Sequence, residues 1–364
     1  MRETVLSIIR SPCCGSELSI ESVSQKQGDH IKSGSLSCQS CSTRYPIERY
    51  VPRLVPKENY SSSWGDLWME TAELTRDSST GLTFYRDVLH GSYHEGDKAI
   101  EGTSPFGFAW PTDLSGQLVL EVGPGTGCCT EHLVKTGCEL VVIDMSHAID
   151  SFSEELHSHS NLNVIQADIN NPVLKKSLFD RIWLFQVLQH TPSPAATLKT
   201  MFSLLKEGGE ISFTSYGGST LFNPWYYRFT KGLGTRFGWK LINLYVPIVV
   251  QFKFYLHQFF DYLGFSRLAN LVDRVLGFAD PRNIYRRVRL QGMEDYPVGA
   301  QYKNTGDHRI LMQFVILNTY DAITPEYSLN ADHQTIEKWT AEAGFEEINS
   351  WGTGGVRAKA KRPR

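Results

Sequence analysis

From Gln117 onward the chain alternates short apolar runs with glycine-bearing turns and mixed polar–apolar stretches. Leu118–Val122 (LVLEV), Glu139–Ile143 (ELVVI), Asn163–Ala167 (NVIQA), Arg181–Gln186 (RIWLFQ) and Glu210–Ser215 (EISFTS) read as five strands. Near-continuous apolar character, rather than strict alternation, marks strands buried on both faces and therefore paired in parallel. Helices fill the intervals, one from the Gly123–Gly127 turn to about Lys135 and one over Pro194–Leu205 with its start at Thr191/Ser193. A further helix at Asp332–Ala343 stops at Gly344. Phe345–Ser350 and Gly355–Ala360 then follow around Gly352 and Gly354, close enough to pair antiparallel. Strands alternating with helices imply right-handed crossovers and a doubly wound α/β sheet.

The pattern does not begin at the N-terminus, and it is interrupted. Residues 1–56 are cysteine-bearing and turn-rich, ending in proline-punctuated segments at Pro46, Pro52 and Pro56. Residues 57–116 are polar and aromatic; SSSWGDLWMETAEL reads as a helix that Ser62 or Ser63 caps. We therefore expect four parts: a small module at 1–56, a helical lid or linker at 57–116, an α/β domain built from 117–216 and 321–364, and a helical cap inserted at 217–320.

Composition narrows the classes of function. The chain has 364 residues, 41% of them hydrophobic, with 36 Lys and Arg against 39 Asp and Glu. A net charge of −3 gives no support to a nucleic-acid footprint or a polybasic membrane surface. Seven cysteines, an odd number, argue for reduced thiols and a cytoplasmic setting rather than a secreted disulfide scaffold. The apolar stretch at Val5–Ile9 is too short for a signal-peptide core. Residues 241–265 are the most apolar region, but Pro247, Gln251, Lys253, His257, Gln258 and Asp261 break the run. A spanning helix needs about 20 apolar residues, so no transmembrane span is expected here; an amphipathic lid fits, with peripheral membrane contact left open.

Candidate chemistry gathers at the strand ends. In open α/β sheets, ligands bind at the carboxyl ends of the strands. Glu121-Val122-Gly123-Pro124-Gly125-Thr126-Gly127 forms the first strand–helix turn, where absent Cβ atoms admit a ligand to the backbone. Its GxGxG spacing departs from the GxGxxG of dinucleotide sites, since position 128 is Cys128. Asp144 ends the second strand, where a carboxylate can accept from both hydroxyls of a ribose. Asp168 ends the third and could accept from an exocyclic amine. Glycine loop and acids in register at three successive tips favour a nucleoside site.

The motifs LEVGPGTG, VVIDMS, IQADI, FDRIWLFQVLQHTPSP and LLKEGGEISF resemble those of class I S-adenosylmethionine-dependent methyltransferases over about 118–215. The closing segment HQTIEKWTAEAGFEEINSWGTGGVRAKAKRP is similar to the end of that fold. This resemblance implies a Rossmann-like, doubly wound seven-stranded sheet with an antiparallel last strand. It implies that Gly123, Gly125 and Gly127 approach the methionine part of S-adenosylmethionine with Glu121 nearby, and that Asp144 holds the ribose. Asp168 would hold the adenine amine, Met145 and Ile169 would sandwich the ring, and Gln186 would line the pocket.

Cys38-Gln39-Ser40-Cys41 has the CxxC spacing of a zinc knuckle, which requires a partner pair about 20–25 residues earlier. Ser11-Pro12-Cys13-Cys14-Gly15 stands there, with Ser11 where a first ligand is expected. Cys14, Cys38 and Cys41, with Cys13 as an imperfect fourth, make the expected set for a structural zinc; His30 is a weaker alternative. A ribbon that folds without metal is the competing reading. The segment resembles the small zinc-ribbon module attached to many bacterial methyltransferases of this class. Cys128, Cys129 and Cys138 read as buried packing residues.

Methyl transfer needs alignment of the acceptor and, for an oxygen or ammonium nucleophile, a base. His190, four residues after Gln186, is the candidate base; a helix cap or backbone partner is its alternative role. Tyr60, Trp64 and Trp68 either lie over the cofactor or form a surface or core stripe. The insertion, with Phe222, Trp225, Tyr226, Tyr227 and Phe229 and with Arg282, Arg286, Arg287 and Arg289, suits a small-molecule, natural-product, glycolipid or other lipid-linked acceptor. NTYDAITPEYS resembles a segment of those zinc-ribbon methyltransferases, which implies that Asp321 or Tyr327 borders the pocket. An RNA methyltransferase and a non-catalytic cofactor-binding scaffold are the competing functions. Oligomeric state is not legible.

Overall fold

The computed structural model describes residues 1–56, 75–91, 107–217 and 325–364 apart from positions 157, 172, 353 and 354, together with isolated positions between 59 and 72 and between 244 and 264. Contacts divide the chain into two units. One comprises Met1–Met69, Tyr85–Ser219 and Glu326–Arg364; the other comprises Glu70–Phe84 and Thr220–Pro325.

The first unit opens with a four-stranded antiparallel sheet of β1 (Leu18–Gln27), β2 (His30–Cys38), β3 (Arg44–Glu48) and β4 (Val51–Pro52) in sequential order. A helical turn, α1 (Phe84–His90), then precedes the central sheet. That sheet holds β5 (Leu118–Val122), β6 (Glu139–Asp144), β7 (Leu162–Gln166), β8 (Phe179–Leu184), β9 (Leu205–Tyr216), β10 (Glu346–Trp351) and β11 (Gly355–Lys361). Its seven strands run in the order β10-β11-β9-β8-β5-β6-β7. β7, β6, β5, β8 and β9 pair in parallel, and β11 pairs antiparallel with both β9 and β10. Helices α2 (Thr130–Leu133), α3 (Asp150–Leu156), α4 (Pro194–Leu204) and α5 (His333–Glu342) supply connections. This is the seven-stranded Rossmann-like arrangement expected from the motifs, and strand order reverses between β5 and β8.

Local chemistry explains the boundaries. Ser193 Oγ accepts from the Ala196 N–H at 3.3 Å and Pro194 fills the first turn, so α4 starts there. Asp332 caps α5 by accepting from the Thr335 N–H at 2.8 Å. Two strands differ from the sequence reading. β8 ends at Leu184, two residues early, because Gln186 adopts φ +59° and its N–H turns to Thr214 Oγ1 at 2.6 Å. β9 starts at Leu205, directly after α4, and absorbs Gly208-Gly209 where the register with β8 shifts between Phe179 and Arg181.

The N-terminal sheet and the central sheet share one apolar core. Val5, Ile9, Ile31, Leu36 and Leu54 belong to the same buried cluster as Val141, Ile143, Ile165 and Ile182. Backbone joins them too. Arg53 bridges in parallel to Gln166 on the edge strand β7, and Leu54 N–H donates to the Gln166 carbonyl at 2.8 Å. Ile9 bridges to Leu174, flanked by Arg10 N–H to Val173 O at 2.8 Å and Lys175 N–H to Ile8 O at 2.9 Å. A free edge strand invites foreign pairing, and here the module blunts it.

In the second unit, Asp77–Thr80 forms one helical turn closed by Gly81. Leu244, Ile248, Phe252, Leu256, Phe259, Phe260 and Tyr262 are helical positions. No helix among the described residues is long and apolar enough to cross a membrane. Phe222, Trp225, Tyr226, Tyr227, Phe229, the four arginines from Arg282 to Arg289, and Asp321 lie outside the described residues, as do Tyr60, Ser62, Ser63 and Trp64.

Candidate active site

The glycine loop leaves β5 at the reversal point. Gly123, Gly125 and Gly127 take φ of +65°, +58° and +83°. Gly123 is held by its N–H to Ile143 O at 2.8 Å, and a Cβ there would meet Val187 Cγ2 at 2.4 Å. Gly125 faces different company: a Cβ would lie 3.6 Å from the Trp68 indole, an ordinary contact. Gly123 thus answers to packing under the loop, while the outward side of Gly125 lies beside an aromatic plate.

Beneath the loop, Glu121 is buried and accepts from Thr130 Oγ1 at 2.7 Å. Desolvation pushes its carboxyl up to about 8, with the Thr130 bond opposing and the nearby Asp144 charge adding. Asp144 Oδ1 accepts from the Ser146 N–H at 2.7 Å and Ser146 Oγ at 2.8 Å. Burial raises its carboxyl against those bonds and one from the Gly125 N–H. Met145 follows directly. Its carbonyl accepts from Gln166 Nε2 and from Asn59 Nδ2, each at 3.1 Å.

Asp168 stands after β7, with Oδ1 accepting from the Asn170 N–H at 2.9 Å, and Ile169 beside it is buried. Gln186 lies exposed beyond β8 in a left-handed conformation that costs a non-glycine residue about 1–3 kcal/mol. His190 Nδ1 lies 3.0 Å from the Tyr327 carbonyl oxygen, and its ring meets Tyr216 edge-on at 5.4 Å. A carbonyl only accepts, so Nδ1 carries the proton in that bond.

The loop, Glu121, Asp144, Met145, Asp168, Ile169 and Gln186 therefore occupy the carboxyl ends of β5 to β8. Sequence reasoning missed Thr130, Ser146, Val187 and Thr214, which hold those residues in place. A serine or asparagine two positions after a strand-end aspartate, as at Ser146 and Asn170, is a legible signal for the turns.

In the N-terminal sheet, the Sγ atoms of Cys14, Cys38 and Cys41 lie within 4.8 Å of one another, with Cys14 at 3.4 Å from Cys38 and 3.8 Å from Cys41. Tetrahedral zinc with bonds of about 2.3 Å separates its sulfur ligands by roughly 3.8 Å, so the thiols fit such an ion. Backbone N–H groups of Cys41 and Ser40 lower the Cys38 thiol to about 6. Cys13 is exposed and outside this trio, and His30 begins β2 at the end opposite Cys38. Ser11 Oγ pairs with the Tyr45 hydroxyl at 2.9 Å. Cys128, Cys129 and Cys138 are buried.

Residues 120–213 match the family model described as a methyltransferase domain, and residues 2–49 match that of Trm112p-like proteins. The chain carries a class I methyltransferase domain behind a Trm112p-like module with a cysteine cluster. Two curated relatives are ubiquinone biosynthesis O-methyltransferases. That of Methylococcus capsulatus is 32% identical over 111 residues, which cover 30% of this chain and 47% of that enzyme. That of Pseudomonas fluorescens is 27% identical over 124 residues, covering 32% and 53%. The chain thus spans about half the length of these curated relatives. Among solved structures, the CurJ carbon methyltransferase aligns over 84% of this chain and 62% of its own at 15% identity, with a TM-score of 0.41.

Proposed function

We propose that the chain transfers a methyl group from S-adenosylmethionine to a small, largely apolar acceptor bearing a hydroxyl. One observation carries this reading: a glycine loop and two carboxylates stand at adjacent tips of β5, β6 and β7, beside the reversal of strand order. The bound sulfonium supplies an activated methyl. The chain supplies the rest. Asp144 accepts from the ribose, Asp168 offers Oδ2 to the adenine amine, and Met145 and Ile169 flank the ring. Gly123, Gly125 and Gly127 let the methionine part lie on backbone. Orientation of this kind can lower a barrier by about 7–11 kcal/mol in favourable cases. His190, its Nδ1 proton committed to Tyr327, takes the acceptor's proton at Nε2.

The acceptor class rests on two supports. The relatives named above are ubiquinone biosynthesis O-methyltransferases. In the second unit, Leu244 is 66% exposed and Tyr262 88%, with Ile248, Phe252 and Phe259 also presented to solvent. Residues 217–260 contain Arg228, Lys231, Arg236, Lys240 and Lys253 and no acid. Apolar side chains among cations suit peripheral contact with an anionic membrane surface that stores a lipid-linked acceptor. An RNA acceptor is less well supported, because several cations of the first unit are paired at home. Lys206 meets Asp180, Arg181 meets Glu210, Arg44 meets Glu21, and Arg362 donates to the Leu205 carbonyl.

Zinc is the structural metal that fits the module, held by Cys14, Cys38 and Cys41. The reading as a whole is tested by titrating the full chain with S-adenosylhomocysteine, which should bind in one-to-one ratio. Absence of binding would overturn it.

A further inference from the structure

The N-terminal module ends at a residue whose bonds run into the cofactor turn. Arg53 is buried where β4 meets the edge strand β7. Its own N–H donates to the Pro46 carbonyl at 2.9 Å, anchoring it to the module. Its guanidinium donates through Nη1 to Gln166 Oε1 at 3.0 Å and through Nη2 to Asp150 Oδ1, with Glu48 O at 3.3 Å. An arginine only donates, so it dictates the orientation of the Gln166 amide: Oε1 faces Arg53 and Nε2 must face away. Nε2 then donates to the Met145 carbonyl at 3.1 Å. Without Arg53, that amide could turn and present oxygen to oxygen.

Asp150 opens α3, six residues after Asp144. One planar cation therefore grips both ends of the turn that carries the ribose carboxylate and the adenine-flanking methionine. The chain leaving the module tightens the same grip. Asn59 Nδ2 donates to the Met145 carbonyl at 3.1 Å, and Gly65 packs so close to His147 that a Cβ would stand 2.3 Å from the ring.

We propose that Arg53 is a positioning residue for the adenosine end of the cofactor, through which the Trm112p-like module sets cofactor affinity from within the same chain. This rests on the cofactor reading above. Arg53 touches no ligand; it acts through Gln166 and Asp150 on the Asp144–Ser146 turn. The module is then a built-in brace of the binding turn as well as a cover for the sheet edge.

The test compares the full-length chain with Arg53→Lys and Gln166→Met. Arg53→Lys keeps the charge opposite Asp150 and loses the fork; Gln166→Met keeps the Arg53–Asp150 pair and loses the bond to Met145. Calorimetric titration with S-adenosylhomocysteine should show affinity reduced about 2.5- to thirtyfold in both, the range for residues that couple to a site without contacting ligand. Hydrogen exchange at the amides of Met145 to Ala148 should accelerate in the ligand-free variants, while the melting temperature of Gln166→Met changes little. If the wild type binds and Gln166→Met binds within twofold of it, the inference is wrong and the cofactor reading stands. A lowered melting temperature with unchanged affinity also overturns it, since that is a purely structural role. If the wild type takes up no S-adenosylhomocysteine, the cofactor reading falls and the inference with it. Should Arg53→Lys fail to fold, Gln166→Met decides alone.

Discussion

Thr130 Oγ1 donates to Glu121 Oε2 at 2.7 Å beneath the glycine loop, one hydrogen bond to a carboxyl otherwise stripped of water. Burial raises that carboxyl from 4.5 to about 8. A folded pKa above the unfolded one means the native state prefers the protonated form. The corresponding stability is fully present below about pH 4.5 and is lost as pH rises through about 8. Glu121→Gln keeps an acceptor for Thr130 and cannot ionise. Its melting temperature should fall less than that of the wild type between pH 5 and 8, leaving the variant several degrees more stable at pH 8. Parallel melting curves would contradict this.

Gly123 and Gly125 share a left-handed backbone but not their neighbours. Gly123→Ala drives a methyl to 2.4 Å from Val187 and should lower stability by about 2–6 kcal/mol, the sum of backbone strain and overpacking. Gly125→Ala meets Trp68 at 3.6 Å, so its cost should be confined to about 1–2 kcal/mol of backbone strain. Its larger effect should be weaker cofactor binding. Denaturant titration beside ligand titration separates the two, and equal stability losses would refute the distinction.

His190 is oriented by the Tyr327 carbonyl. With a catechol-bearing probe as acceptor, His190→Asn should lower methyl transfer by about 10²–10⁴-fold, the usual worth of a general base. S-adenosylhomocysteine affinity should stay within twofold. Undiminished turnover would leave His190 a structural residue.

Elemental analysis of the full chain should find about one zinc, as three converging cysteine sulfurs at 3.4 and 3.8 Å suggest. Cys14→Ser or Cys41→Ser should remove it and lower the melting temperature. Cys13→Ser should leave it in place. Equal loss in all three would mean the exposed Cys13 is a ligand after all.

Much of the sheet was legible because burial on two faces writes itself as unbroken apolar runs, as in Leu118–Val122 and Glu139–Ile143. The acids at strand tips were legible because polar residues at the end of such runs need a reason. What could not be read lies in pairings made across distance. Arg53 meets Gln166 113 residues away, and no local pattern announces it. Trp68 beside Gly125 was legible only as one of two alternatives, a residue over the cofactor or part of a surface or core stripe. The knuckle spacing singled out Cys14 over the adjacent Cys13, and Cys14 is the thiol that turns toward Cys38. The end of β8 was misjudged because Thr214, on a neighbouring strand, draws the Gln186 N–H out of the ladder.

The central claim is that the β5–β7 tips bind an adenosyl ligand through Asp144. The most direct measurement is calorimetric titration of S-adenosylhomocysteine into wild type and Asp144→Ala. The variant should fold normally and bind more than tenfold more weakly, as expected when a charged acceptor of two ribose hydroxyls is lost. Affinity equal to that of the wild type would contradict the claim.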